Sequence, residues 1–361
     1  MSRRPRHLTS QYSTDNSVTV RNPAPFTAQV SRAPGLTRRR LLRVGASAAV
    51  IPYAGAPMGG SRAIPRRTTG HELIILCDQK SQSVILTETE TLKAYRERRL
   101  DLTALWSWSP ASDAELADLV PSRSWINVSE AKQVGTPDGT LLLTCASGGM
   151  AVAFNRTRGV TYWATNVPRS SNLHSLEMLP DGNIAVAAST GGYVRLYTSS
   201  QGPRSSHYVQ HPLPGAHALS WDAGQRLLWA LGASELHALA VAGTRAAPGI
   251  TLQRRLPLPD EDGHDLAPVI GAPDDRWVTT GRHVYRVSLT SGAFTRATAP
   301  RGIDKAHVKS ISQHPVTGQV IMVSPDDQTS CSWCSSRVDF LDPSRQDALI
   351  GTSVYKARWW L

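Results

Sequence analysis

The chain has 33 arginines but only six lysines, and three of those lysines recur at equivalent places in short strand-like runs. The runs are Glu130-Ala131-Lys132-Gln133-Val134, Lys309-Ser310-Ile311-Ser312 and Lys356-Ala357-Arg358-Trp359-Trp360. Histidines open three sister runs: His174-Ser175-Leu176, His217-Ala218-Leu219 and His264-Asp265-Leu266. An amine is a compact charge whose pKa falls when it is crowded or desolvated, which a guanidinium does not share. Amines, imidazoles, Arg358 and an acid (Glu130) on one surface suit an anionic, hydroxyl-rich molecule: a uronic acid, a sugar phosphate or an organic acid. The cations would hold the anion, while Glu130 and the histidines hold hydroxyls or move protons. Trp125 and Tyr355 are expected as exposed aromatics that stack on a sugar face. Trp106, Trp108, Trp163, Trp221, Trp229 and Trp277 are expected in packing between sheets.

A metal is the competing use of three histidines in equal register, and His174, His217 and His264 could converge on zinc or manganese. The neighbouring lysines weigh against it, because they repel a dication and supply no ligand. Ordered water is the bland occupant of any such polar ring.

The elements that must position these residues form a repeat. Five segments share one order: polar residue, small residue, apolar stretch, turn, strand, second turn, strand. Two are plain. One has Pro137-Asp138-Gly139 and Gly148-Gly149 as turns around Leu141–Cys145; the next has Pro180-Asp181-Gly182 and Gly191-Gly192 around Ile184–Ala188. Such Asp-Gly and Gly-Gly pairs supply the positive φ of tight hairpins. The third turns at Asp222–Gln225, the fourth at Pro273-Asp274-Asp275, the fifth at Pro315–Gly318. A unit of about 40–45 residues is a four-stranded propeller blade.

Leu73–Cys77, Val84–Thr87 and Leu102–Trp108 read as a blade without an innermost strand, and the C-terminal run at Lys356 supplies one. The sequence therefore predicts an all-β, six-bladed β-propeller whose last strand completes the first blade and removes the open edges. A short helix is expected at Ser112–Leu119. In this fold the inner strands line a channel. One mouth then carries Glu130, His174, His217, His264 or Asp265, Lys309 and Lys356. Two residues on, along a strand of period two, stand Lys132, Arg358, Leu176, Leu219, Leu266 and Ile311.

The net charge of +11 belongs to residues 1–63, which contain ten arginines and one acid, Asp15. The remainder carries 29 basic and 27 acidic residues, no electrostatic case for nucleic acid. Thr37-Arg38-Arg39-Arg40-Leu41-Leu42-Arg43 and the apolar run to Ala56 resemble a twin-arginine export signal, too short to span a bilayer. Cleavage is expected after Ala54-Gly55-Ala56 or Ala63. Residues 1–63 are thus a disordered leader and 64–361 one propeller domain, exported to the envelope or beyond, with no membrane span, as a monomer. Cys77 and Cys145 lie in apolar strands and are expected to be inert. Cys331-Ser332-Trp333-Cys334 sits in a polar loop, where a local disulfide fits better than a redox centre or a structural zinc site.

His174-Ser175-Leu176-Glu177-Met178-Leu179-Pro180-Asp181-Gly182-Asn183, within Pro168–Gly192, resembles the signature of an uncharacterised family of exported bacterial six-bladed propellers. Glu130-Ala131-Lys132, His217–Trp221 and Tyr355-Lys356-Ala357-Arg358-Trp359 match its other inner strands. The resemblance spans roughly 70–361 and implies a fold without a known activity. The chain shows no acid, asparagine and acid ligand set like that of calcium-dependent gluconolactonases. The expected function is therefore a small anionic or carbohydrate ligand bound at the channel mouth, with lyase or hydrolase chemistry if there is catalysis. The alternative is a protein-interaction scaffold, which would need an exposed apolar face. A redox cofactor has only the leader and the CxxC behind it.

Overall fold

The computed structural model describes residues 72–89, 104–342, 344–349 and 351–361. The leader, its twin-arginine motif and both expected cleavage points lie outside the described residues, as do Leu102 and Thr103 of the strand expected up to Trp108.

Six four-stranded antiparallel sheets form the blades of a β-propeller. Their innermost strands are β4 (Val128–Thr136), β8 (Leu173–Met178), β12 (Ala218–Asp222), β16 (Asp265–Val269), β20 (Ser310–Gln313) and β24 (Val354–Trp360). The C-terminal β24 pairs with β1 (Leu73–Asp78), with Leu73 opposite Trp360 and Ile75 opposite Arg358. It completes the first blade with β2 (Ser83–Glu88) and β3 (Trp106–Trp108).

Each blade is covered on both sides by its neighbours, so its inner strands read as unbroken apolar runs that alternate in destination. On β5 (Gly139–Ala146), Leu142 and Ala146 join a cluster with Ile75, Trp108, Trp125 and Trp360. Leu143 and Cys145 turn the other way, to Leu176, Val186 and Tyr193. Six such clusters occur, one for each contact between adjacent blades. Small residues on the inner strands (Ala131, Ser175, Ala218, Ser310 and Ala357, each 0–1 % exposed) let the strands crowd around the channel.

Two local expectations are corrected. Pro273-Asp274-Asp275 is not a turn but lies within β17 (Ala272–Thr279). The chain reverses at Ile270-Gly271, where Gly271 has φ +82°. A left-handed φ is nearly free only for glycine, so Gly271 takes the reversal and the Pro-Asp pair does not. The helix expected at Ser112–Leu119 is two 3₁₀ segments, Pro110–Ser112 and Ala114–Leu119, followed by one turn of α-helix, Pro121–Ser124. Asp113 interrupts it by capping Glu115 N–H. Gly149 sits at φ +111°, and an added Cβ would lie 2.1 Å from the Val167 carbonyl. The Gly148-Gly149 pair is therefore required both by the turn and by the close approach of the next strand end.

Cys331 and Cys334 are bonded to each other. The loop they close reaches blade one, where Trp333 Nε1–H donates to Gln79 Oε1 at 2.9 Å. Cys77 and Cys145 are buried, and burial first of all pushes the Cys145 thiol up to about 12. No helix among the described residues is long and apolar enough to cross a membrane.

Candidate functional site

The nine polar residues picked out on the inner strands do not form one site. Eight of them fall on two levels along the channel and Lys132 lies beyond a third, apolar one, because each inner strand traverses its length and alternate side chains reach different depths.

The first level is a row of rings at the mouth where the inner strands begin. His174 and His217 stack with centroids 4.0 Å apart and planes 25° apart. His217 and His264 follow at 5.0 Å. Tyr355 Oη lies 3.1 Å from His174 Nδ1 at one end of the row, and Lys309 Nζ bonds His264 Nε2 at the other. Two tautomers follow from the partners. His264 Nδ1 faces the Asp262 carbonyl at 2.6 Å and His217 Nδ1 faces the Gly215 carbonyl at 3.3 Å. A carbonyl only accepts, so both Nδ1 atoms carry hydrogen and both Nε2 atoms keep a lone pair.

The row is held neutral. Burial, then Lys356, His264 and Lys309, bring His174 down to about 3. Burial and Lys309 bring His264 to about 4, and burial with the two neighbouring rings lowers His217 as well. Lys309 is 9 % exposed, and burial, aided by Lys356 and opposed by Asp262, brings its amine down to about 8. Of the described lysines, Lys132, Lys305 and Lys356 pair with carboxylates and Lys80 is exposed. Lys309 instead rests on a neutral imidazole.

The second level is a closed knot of charge: Glu130 and Asp265 against Lys356 and Arg358. Lys356 Nζ lies 3.1 Å from Glu130 and 3.4 Å from Asp265, and these three side chains have no exposed area. Arg358 donates to Glu130 through Nε (3.2 Å) and Nη2 (3.1 Å), to Asp265 through Nη1 (2.6 Å) and Nη2 (2.7 Å), and to the Ile311 carbonyl at 2.9 Å. Every guanidinium hydrogen is used. Burial alone would raise both acids; Arg358 and Lys356 outweigh it and hold both carboxyls below their ordinary range. In return the two acids raise Lys356 and Arg358 against the pull of burial. This changes the expected role of Lys356 and Arg358: charge-balanced and desolvated, they have no donor left for a ligand carboxylate.

Leu176, Leu219, Leu266 and Ile311, each at most 2 % exposed, form the apolar third level. Beyond it the opposite mouth opens as a cavity of about 400 Å³, its lining including Lys132, Glu177, Trp221 and Gln313. Lys132 belongs to this mouth. Its amine donates to Glu177 at 2.9 Å and to the Leu219 carbonyl at 2.7 Å.

The sequence could not separate His264 from Asp265 as the inward residue, and the structure uses both, at different levels. Asp265 occupies the position that is small in the other five blades, from which it also accepts the Ile311 N–H at 2.8 Å. The expected stacking role of Trp125 is corrected. Trp125 is 4 % exposed, packs edge-on against Trp108 and donates to the Gln82 carbonyl, so it has no face to offer. Tyr355 is likewise buried, at 3 %. Trp221, expected in the packing, does pack against an interblade cluster and also lines the opposite mouth. Its place at the end of an inner strand was the available signal.

A shared metal does not fit the histidine row. Imidazole binds a metal through an in-plane lone pair; the stacked His174 and His217 rings point theirs alongside one another rather than at one centre, and His264 Nε2 is taken by Lys309. Among the described residues no group of three or more His, Cys, Asp or Glu side chains could hold a metal ion.

Solved structures with the same fold include a protein of unknown function from Bacteroides caccae. It is 13 % identical with a TM-score of 0.51, over 80 % of this chain and 99 % of that one. Virginiamycin B lyase from Staphylococcus aureus is 12 % identical with a TM-score of 0.41, over 59 % and 67 %. No curated protein matches the sequence. Residues 71–361 match one family model, described as "Family of unknown function (DUF6528)", and the chain belongs to that family.

Proposed function

We propose that the protein binds a small anionic, sugar-like ligand at the histidine-bearing mouth of the channel. The observation that carries this reading is Lys309: a nearly buried cation without a carboxylate partner among the described residues, at the end of a row of neutral imidazoles. An arriving carboxylate or phosphate would supply the missing counter-charge in a partly desolvated place, where such a pair is stronger than in water. The free Nε2 lone pair of His217 accepts a hydrogen bond, so it complements a hydroxyl group rather than the anion itself. A hydroxylated acid satisfies both halves of the row. Lys309 also titrates nearer neutrality than the histidines beside it. This fits proton removal beside a carboxylate, and so a lyase or hydrolase, better than a passive scaffold.

The test is a thermal-shift titration of the full chain with a methyl hexuronide and a hexose phosphate. Lys309→Met is expected to abolish the ligand-induced rise in Tm, a loss of about 2–3 kcal/mol of linkage at a hundredfold excess over Kd. Lys132→Met, at the other mouth, is expected to leave that rise intact. Equal shifts in wild type and Lys309→Met would end this reading.

Export belongs to the same proposal. Arg38 and Arg39 stand where a twin-arginine route reads its cargo, which travels folded, as suits a closed propeller. Replacing both arginines by lysine is expected to leave the protein inside the cell when fractions are probed with an antibody. Unchanged export would exclude that route.

A further inference from the structure

We infer that Lys309 is a covalent-adduct lysine, whose amine condenses with the carbonyl of an α-keto or aldehydo acid while His264 carries the protons. This rests on the reading of the histidine mouth as an anion site and names the ligand class more closely.

Three observations converge on it. The first is aim: His264 Nδ1–H is committed to the Asp262 carbonyl, so the Nε2 lone pair meets the Lys309 amine. The imidazole is held as the base in contact with that nitrogen. The second is the company Lys309 keeps. A carboxylate in contact would lock the amine as ammonium, as Glu130 and Asp265 do for Lys356, and no described carboxylate pairs with Lys309. The third is position: Lys309 is 9 % exposed, while His217 and His264 beside it are half-buried and open to solvent. The charged and titratable groups that act on Lys309 are His264, Lys356 and Asp262, with His174 further along the row. Burial and Lys356 outweigh Asp262, so a useful share of the amine is neutral near pH 7–8.

The step balances without an oxidant or reductant. His264 Nε2 takes one proton from the ammonium, and the freed nitrogen pair attacks the carbonyl carbon. The C=O π pair moves to oxygen, which takes up the proton that nitrogen loses on bond formation. The carbinolamine nitrogen then forms its second bond to carbon. The hydroxyl leaves as water with the proton returned by the His264 imidazolium. Ammonium and carbonyl compound become a protonated imine and water.

The experiment treats the full-length protein with glyoxylate and sodium borohydride, which reduces an imine to a stable secondary amine. Modified lysines are then mapped by peptide mass spectrometry. With six lysines in the chain, each site can be followed separately. Lys309 is expected to be labelled about tenfold or more faster than exposed Lys80, because its own amine is partly neutral near pH 7–8 and His264 Nε2 touches it. His264→Gln is expected to slow that labelling while leaving Lys80 unchanged. Labelling of Lys309 no faster than Lys80 overturns the inference, and this comparison needs no variant to fold. A methyl hexuronide, which offers no carbonyl at its anomeric carbon, is titrated in parallel without borohydride. Binding there without an adduct on Lys309 ends the imine alone; neither binding nor adduct ends the anion site as well.

Discussion

Replacing Arg358 by methionine is expected to lower stability by about 3–5 kcal/mol, because it leaves Glu130 and Asp265 buried with one cation between them. The magnitude follows from the completeness of the knot. Arg358 supplies five hydrogen bonds inside it, four of them to acids whose side chains have no exposed area. Urea unfolding of the wild type and the variant measures the loss. A change below about 1 kcal/mol would mean that the two acids can be resolvated or protonated cheaply. Replacing all four charges together, with Glu130→Gln, Asp265→Asn, Lys356→Met and Arg358→Met, is expected to cost less than Arg358→Met alone. Breaking a buried pair leaves a naked charge, whereas removing all its members does not.

The same knot and the histidine row set the pH range of the fold. Glu130 and Asp265 have folded pKa values below their ordinary ones. Their contribution is present above the ordinary carboxylate range and is lost as pH falls through and below it. His174, His217 and His264 are also lowered, from an ordinary value of 6.5. Between about pH 6.5 and 4 the unfolded chain binds protons at these rings that the folded chain refuses, so stability falls with acidification there. Lys356 is raised, so its contribution persists below its ordinary 10.5 and is lost only at higher pH. The wild-type curve should therefore decline from near pH 6.5 on the acid side, with the histidines acting before the carboxylates.

Deleting Val354–Leu361 is expected to abolish the folded state altogether. Blade one would keep only β1, β2 and β3, leaving the inner edge of β1 unpaired where it now meets β24. Tyr355 and Trp360 would leave one interblade cluster, and Val354, Ala357 and Trp359 another. Burying each large side chain contributes about 1.5–3 kcal/mol, and the two cations of the knot go with the same strand. Together these approach or exceed the whole stability of about 5–15 kcal/mol of an ordinary domain. Near-UV circular dichroism should be lost and the truncated chain should be cut rapidly by protease. A cooperative melting transition in the truncated protein would show that blades two to six stand without closure.

The repeat was legible because each blade declares itself locally. Pro180-Asp181-Gly182 and Gly191-Gly192 announce reversals, and Leu141–Cys145 announces a strand covered on both faces. Local chemistry misled at Pro273-Asp274-Asp275, where two turn-forming residue types stood close to a glycine that served better. At Trp125 it misled for a different reason. A tryptophan in a loop looks exposed until the ring it packs on, Trp108 of the first blade, is known.

Residue type and register by themselves determined that the chain is a six-bladed propeller, that its last strand closes the first blade, and that lysines and histidines line the channel. These follow from strand period, turn chemistry and the need to bury apolar faces, all written within a few dozen residues. Only the tertiary structure decided which charges meet. Glu130 and Asp265 are 135 positions apart in the chain; ring closure brings β24 beside β4, so Lys356 and Arg358 meet Glu130 there and reach Asp265 on β16 across the channel. Which cation is matched by an acid and which is left to a neutral ring depends on distances across the channel. Strand register fixes the order of residues along the channel, but the reach of each side chain across it is set only once all six blades have closed.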